Sequence, residues 1–219
     1  MARSGASPAS CSSPRWFWPG SGGEGLLGAG VVVNELASWL VLVHLALAML
    51  ILGLLLATAI LALPPSKGET NRIAPVAAAA TYVLLLTGST VVASNADNGC
   101  HSWPLCGGGV ALDFSGANAF TMLHRGAVLV IGILLVYSLV KALRLAALRP
   151  IAMATIAVFA LQVAVGAGAA VTDGALFNGL HVAIATLVWA GMASLALLAL
   201  PRTDRAPALA RLAVDKRPA

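Results

Sequence analysis

Five long apolar stretches set the limits on what this chain can become: Leu36 to Leu63, Ile73 to Ser94, Ala119 to Leu145, Ile151 to Val171 and Phe177 to Leu200. A helix needs about 20 apolar residues to cross a bilayer. Lipid offers no partner for backbone N–H and C=O groups, so a crossing segment must satisfy them as a helix or within a closed barrel. Stretches of this length read as helices, and the expected fold class is an all-α, polytopic transmembrane bundle of about five spans. Of the 219 residues, 59% are hydrophobic and only 10% charged, against about 25% charged in soluble domains. That balance excludes a soluble enzyme, a disordered chain and a nucleic-acid binder.

The net charge of +5 does not mark an anion-binding face, because Lys and Arg gather in the connections and the tail. Lys67 and Arg72 lie between the first and second stretches, Lys141, Arg144 and Arg149 between the third and fourth, and Arg202, Arg205, Arg211, Lys216 and Arg217 in the tail. The other connections carry Asp97 and Asp113, then Asp173, and no Lys or Arg. By the positive-inside rule the basic connections and the C-terminus face the cytoplasm and the acidic connections face outward. A multi-pass cell-membrane protein is expected, with the first stretch entering from outside.

Residues 1–24 are rich in Ser, Pro and Gly and read as an unstructured or atypical N-terminus, in which Cys11 has no neighbouring partner. Trp16 to Asn34, interrupted by Pro19 and Glu24, reads as a weak span. An internal repeat gives this region a context: Gly28-Ala-Gly-Val-Val-Val-Asn-Glu35 parallels Gly166-Ala-Gly-Ala-Ala-Val-Thr-Asp173, and a histidine follows each, His44 and His181. Self-similarity of this kind marks duplication. The chain therefore reads as a shortened duplicated membrane protein: residues 25–63 end an N-terminal half, 64–200 form a four-helix bundle, and 201–219 are a basic cytoplasmic tail.

Three of the four histidines, His44, His124 and His181, lie one to two turns inside the outer ends of the first, third and fifth stretches. Ionisable groups inside a span are costly, about 2.5 kcal/mol upward for full charges, so three at matched depth point to a shared role rather than to isolated hydrogen bonds. A bare metal ion wants three or four ligands, and no Asp, Glu or Cys accompanies these histidines within the stretches. Haem iron needs two axial ligands, and its apolar faces suit a bundle core. Arg125, next to His124, suits a haem propionate by charge-assisted hydrogen bonds; snorkelling to the interface explains it equally well.

Cys100 and Cys106 share one outer connection. A disulfide is the leading reading in an oxidising compartment, stabilising by roughly 2 kcal/mol in the chain-entropy account. A redox-active pair and part of a metal site are the alternatives.

Together, Thr87-Gly-Ser-Thr-Val-Val-Ala-Ser94, the Cys100 to Cys106 loop with Trp103-Pro-Leu, Met122-Leu-His-Arg125, and Gly166-Ala-Gly with Leu180-His181 resemble the haem A synthase family, the cytochrome oxidase assembly proteins also called CtaA or Cox15. The resemblance covers about residues 25 to 200. It implies two four-helix halves, each with a histidine pair near the outer surface, of which this chain carries the C-terminal half and the last helix of the other. His124 and His181 then match the axial ligands of haem b, Cys100 and Cys106 the outer-loop disulfide, and His44 the second histidine of the half that binds the haem substrate. The implied activity oxidises a methyl group of haem O to the formyl group of haem A, with haem b as cofactor and an external electron donor. Implied partners are haem O, the bilayer, and a second copy of the chain or a haem O synthase. No first histidine of the N-terminal pair, outer-loop Glu motif or first Cys pair lies upstream of Gly25. Two rivals remain: a non-catalytic b-type haem protein that passes electrons, and a quinone-linked disulfide oxidoreductase. The latter wants a relay between two Cys pairs, and Cys100 and Cys106 stand alone.

Overall fold

The computed structural model describes residues 17–34, 38–63, 70–94, 96, 99–108, 110–172 and 175–201. Cys11, Lys67, Asp97, Asp173 and the basic tail from Arg202 onward lie outside them. Among the described residues the chain is all-helical, with α1 (Phe17–Val33), α2 (Ser38–Leu61), α3 (Ala74–Ala93), α4 (Asn118–Leu143), α5 (Arg149–Val171) and α6 (Ala175–Leu198). The five helices from α2 to α6 are long and apolar enough to cross a membrane, at the positions the apolar stretches indicate. α1 begins at Phe17, inside the stretch expected to be unstructured, and has 17 residues. At 1.5 Å per residue it spans about 25 Å, short of a hydrocarbon core of about 30 Å.

α3 packs on α4 and α6, and α5 packs on the same two, so α3 to α6 close into a ring. α4 and α6 therefore stand on one diagonal and α3 and α5 on the other. α2 lies against α3 and α6 outside this ring, and α1 packs on α2. Pro75 and Pro150 start α3 and α5, where a fixed φ favours the first turn and the missing N–H has no partner to lose.

Packing is uneven along the ring. Ala74, Ala77 and Ala78 of α3, Leu135, Leu139 and Ala142 of α4, Ala152 of α5 and Met192, Leu195 and Ala196 of α6 form a buried core at the end away from the histidines. Small residues there let the helices approach closely, the usual source of cohesion in lipid. Asn71 is buried at the same end and donates to the Ser138 carbonyl at 3.0 Å, tying the chain entering α3 to α4. Toward the other end burial is sparser: Thr121 and Met122 of α4 and Ile184 of α6 are buried, and no described residue in 82–93, 123–131, 156–171 or 176–183 is.

α2 is held to the ring by two side chains reaching its backbone. Tyr82 donates its hydroxyl proton to the Ala46 carbonyl at 3.0 Å, and the Trp189 indole N–H donates to the Met49 carbonyl at 3.1 Å. The two rings pack at 5.4 Å, and Trp189 lies against Gly53, where a Cβ would sit 3.3 Å from Cζ2. The two carbonyls of this clasp lie two and five residues beyond His44 and set its height. Trp189→Ala is expected to cost about 3–5 kcal/mol and release α2, whereas Tyr82→Phe, which loses one hydrogen bond, should cost about 1 kcal/mol. Thermal unfolding in detergent, with cysteine cross-linking of α2 to α6, checks both; equal losses would refute the ranking.

Candidate functional site

The three histidines occupy one structural position. Each is the seventh residue of its helix, counting from Ser38, Asn118 and Ala175. Each ring rests on a glycine of the preceding helix, and that glycine lies five residues before the helix's last residue in all three cases: Gly28 before Val33, Gly88 before Ala93 and Gly166 before Val171. A Cβ at Gly28 would come 3.1 Å from His44 Cε1, at Gly88 3.0 Å from His124 Cε1, and at Gly166 2.6 Å from His181 Cε1. The chain is thus built of three helix pairs of one pattern, α1–α2, α3–α4 and α5–α6. The middle copy is hidden in the sequence by the long connection between Ala93 and Asn118.

Each ring also has a polar neighbour on the preceding helix. Thr87 Oγ1 lies 2.9 Å from His124 Nδ1, and the same hydroxyl donates its proton to the Leu84 carbonyl at 2.7 Å. A hydroxyl has one proton to give, so toward His124 it accepts, and Nδ1 carries the ring proton. Nε2 is then the atom with the free lone pair. For His181 the partner is Gln162, whose amide nitrogen is placed 3.1 Å from Nδ1 and 3.3 Å from Nε2 while its buried Oε1 has no partner. Near-equal distances to both ring nitrogens put the amide over the imidazole, so this contact fixes the position of the ring and not its tautomer. His44 Nδ1 faces Glu24 Oε1 at 2.7 Å, an ion-pair distance whose alignment falls short of a hydrogen bond; neither Glu24 oxygen makes another one among the described residues.

Glu24 and Gln162 both stand four residues before their glycines. The repeat therefore extends one turn further back than its Gly-Ala-Gly core, and that extension was the signal for both residues. Sequence reasoning treated Glu24 only as a blemish in a weak span, gave Gln162 no role, and quoted Thr87 without one.

The connection before α4 folds over the histidine-bearing end. Cys100 and Cys106 are joined in a disulfide. Arg125 donates through Nη1 to the carbonyls of Ser102 at 2.8 Å and Pro104 at 3.0 Å, so its guanidinium braces the disulfide loop. Thr121 donates to the Ala96 carbonyl. Asp113 accepts from Ser115 and from the Asn118 side chain, contacts that hold its carboxyl below the usual carboxylate range. The cleft of about 390 Å³ lined by Thr70, Arg72, Lys141 and Arg144 lies at the other end, some 17 residues along α4 from His124, and has no part in this site.

Among the described residues no three His, Cys, Asp or Glu side chains gather to hold a bare metal ion. His124 and His181 sit at matching positions on diagonal helices of the ring. Two imidazoles so placed suit an iron macrocycle that needs only two axial ligands. The residues present fit such a group.

The chain matches the COX15-CtaA family, described as cytochrome oxidase assembly protein, over residues 19–211. The chain belongs to that family. It is also similar to Protoheme IX farnesyltransferase 1 of Natronomonas pharaonis, 31% identical over 110 residues. That stretch is 50% of this chain and 23% of the relative, so the match spans about a quarter of that protein's length. No solved structure matches.

The glycine cradles yield an ordered prediction. Alanine at Gly166, where the added carbon lies closest, should displace His181 most; alanine at Gly88 or Gly28 should shift its histidine by a few tenths of an ångström. Overpacking of this kind costs about 1–3 kcal/mol. Haem content and unfolding temperature of the purified variants should therefore fall furthest in Gly166→Ala. Normal haem content in that variant would show that the close approach is not needed.

Proposed function

We propose that this member of the COX15-CtaA family is a haem A synthase-type membrane oxidoreductase, in which His124 and His181 hold haem b and His44 serves the haem O substrate. The observation that carries the reading is the pair His124 and His181: the seventh residues of two diagonal helices, each ring set on a glycine of the preceding helix with a polar neighbour at Nδ1. Haem b bound there would supply one-electron transfer between an external donor and the substrate. Thr87 keeps His124 in the tautomer that leaves Nε2 to ligate, Gln162 steadies the ring of His181, and the glycines fix how near each ring stands to its neighbouring helix. Arg125, braced on Ser102 and Pro104, keeps a cation at the rim beside His124, suited to a propionate carboxylate. The partial likeness to a protein named for transferring farnesyl to protohaem IX supports a haem as ligand and a farnesylated haem as substrate. A haem O synthase or a second copy of the chain fits as partner.

Two expected outcomes check this reading. The purified full chain supplied with haem b should show a six-coordinate, low-spin haem by absorption and electron paramagnetic resonance. His124→Ala or His181→Ala should abolish that signal and His44→Ala should leave it. Loss in His44→Ala with retention in His181→Ala would move the site to α2 and α4. For orientation, a reporter fused after Arg202 should be cytoplasmic and one inserted near Gly108 external; the reverse pattern would place the histidines at the cytoplasmic face.

A further inference from the structure

The three histidines share position and glycine cradle, but the polar group that the preceding helix sets against Nδ1 differs: a hydroxyl at 2.9 Å for His124, an amide at 3.1 Å for His181 and a carboxylate at 2.7 Å for His44. Glu24 and Gln162 stand at equivalent places in the repeat and have the same shape, so the difference between them is one of charge. Packing does not call for it. Neither oxygen of Glu24 has a hydrogen-bond partner among the described residues, Oε1 lies 2.7 Å from His44 Nδ1, and its side chain is 13% exposed beside a 37% exposed His44. A carboxylate within an apolar helix is costly where an amide of equal size costs less.

We infer that Glu24 is a positioning residue that sets His44 apart from the other two histidines: its carboxylate draws on the Nδ1 proton, makes Nε2 the most electron-rich of the three, and biases iron held there toward the ferric state. This rests on the proposed haem chemistry. Partners of a ligating imidazole fix its tautomer and raise its basicity, and a charged acceptor makes a bond roughly twice as strong as a neutral one. Iron between His124 and His181, backed only by neutral acceptors, is correspondingly easier to reduce. The α4–α6 site is thereby suited to receive and pass electrons, and the α1–α2 site to hold a more strongly donated iron beside the group being oxidised. Gln162 acts as the neutral counterpart.

The test is a potentiometric titration of the purified full chain loaded with excess haem b, followed by absorption. Two components are expected, a low-spin one at higher potential from His124 and His181 and one at lower potential from His44. Glu24→Gln keeps an acceptor and removes the charge; it should raise only the lower potential. Gln162→Glu should lower only the higher one. Each change should shift the ferric-to-ferrous ratio on the order of tenfold, which is 59 mV for one electron, with unfolding temperature and low-spin haem content retained. Potentials unmoved in Glu24→Gln, a shift of the upper potential in that variant, or uptake of a single haem would each overturn the assignment. Absence of the low-spin component from the wild-type chain would instead refute the haem reading on which it rests.

Discussion

Everything at the functional end follows from a single requirement: a histidine inside a membrane helix must place its ring proton on an acceptor. Water is not at hand to take it, and an unpaired N–H in hydrocarbon costs several kcal/mol. Each histidine therefore needs an acceptor on the helix beside it, close enough to reach and at matching height. Thr87 is that acceptor for His124, and Gln162 and Glu24 stand at 3.1 and 2.7 Å from Nδ1 of His181 and His44. Glycine at 88, 166 and 28 allows the approach, because any side chain there would push the ring away. With Nδ1 of His124 committed to Thr87, Nε2 is its free nitrogen. Helix pairing and ligand chemistry are thus one problem solved by one pair of residues in each hairpin.

The division of the bundle into a closed end and an open end follows from where the small residues lie. Alanines on α3, α4, α5 and α6 draw the helices together around Leu135, Leu139, Met192 and Leu195. That end supplies the cohesion, through dense contacts rather than through a hydrophobic effect that lipid does not provide. The histidine end buries few side chains, Thr121, Met122 and Ile184 among them. It depends on the packed end for its geometry and on the loop above it for cover. That cover is itself tied down by the disulfide between Cys100 and Cys106 and by Arg125, whose position next to His124 links the brace directly to a candidate ligand.

α2 joins this arrangement from outside. Tyr82 and Trp189 bond to carbonyls of a helix whose own hydrogen bonds are already made, using the second lone pair of each oxygen. Side-chain bonds between helices in lipid contribute modestly, about 0.6 kcal/mol on average. The clasp therefore adds register more than strength: it fixes the height of His44 relative to His124 and His181. In that register the one histidine paired with a carboxylate belongs to the pair of helices outside the ring, and the two paired with neutral groups belong to the ring.

The spans, the matched depth of the histidines and the duplication were legible in the sequence, because length, apolarity and helical period are local properties of the chain. Leu36 to Leu63 became α2 and Ala119 to Leu145 became α4 within a few residues, since lipid leaves such stretches no other structure. Cys100 and Cys106 could be paired by eye for the same reason, being neighbours on one short loop. The acceptors were not legible. Glu24 and Gln162 fall 20 and 19 residues before their histidines and Thr87 falls 37 before its own, and which face of a helix meets which ring depends on how two helices rotate about each other. Arg125 shows the same limit: its sequence neighbour suggested a propionate, and its reach across space found the carbonyls of Ser102 and Pro104 first. Helical propensity and hydropathy act along the chain, whereas the pairing of a ring with a glycine and an acceptor is decided only when the helices pack.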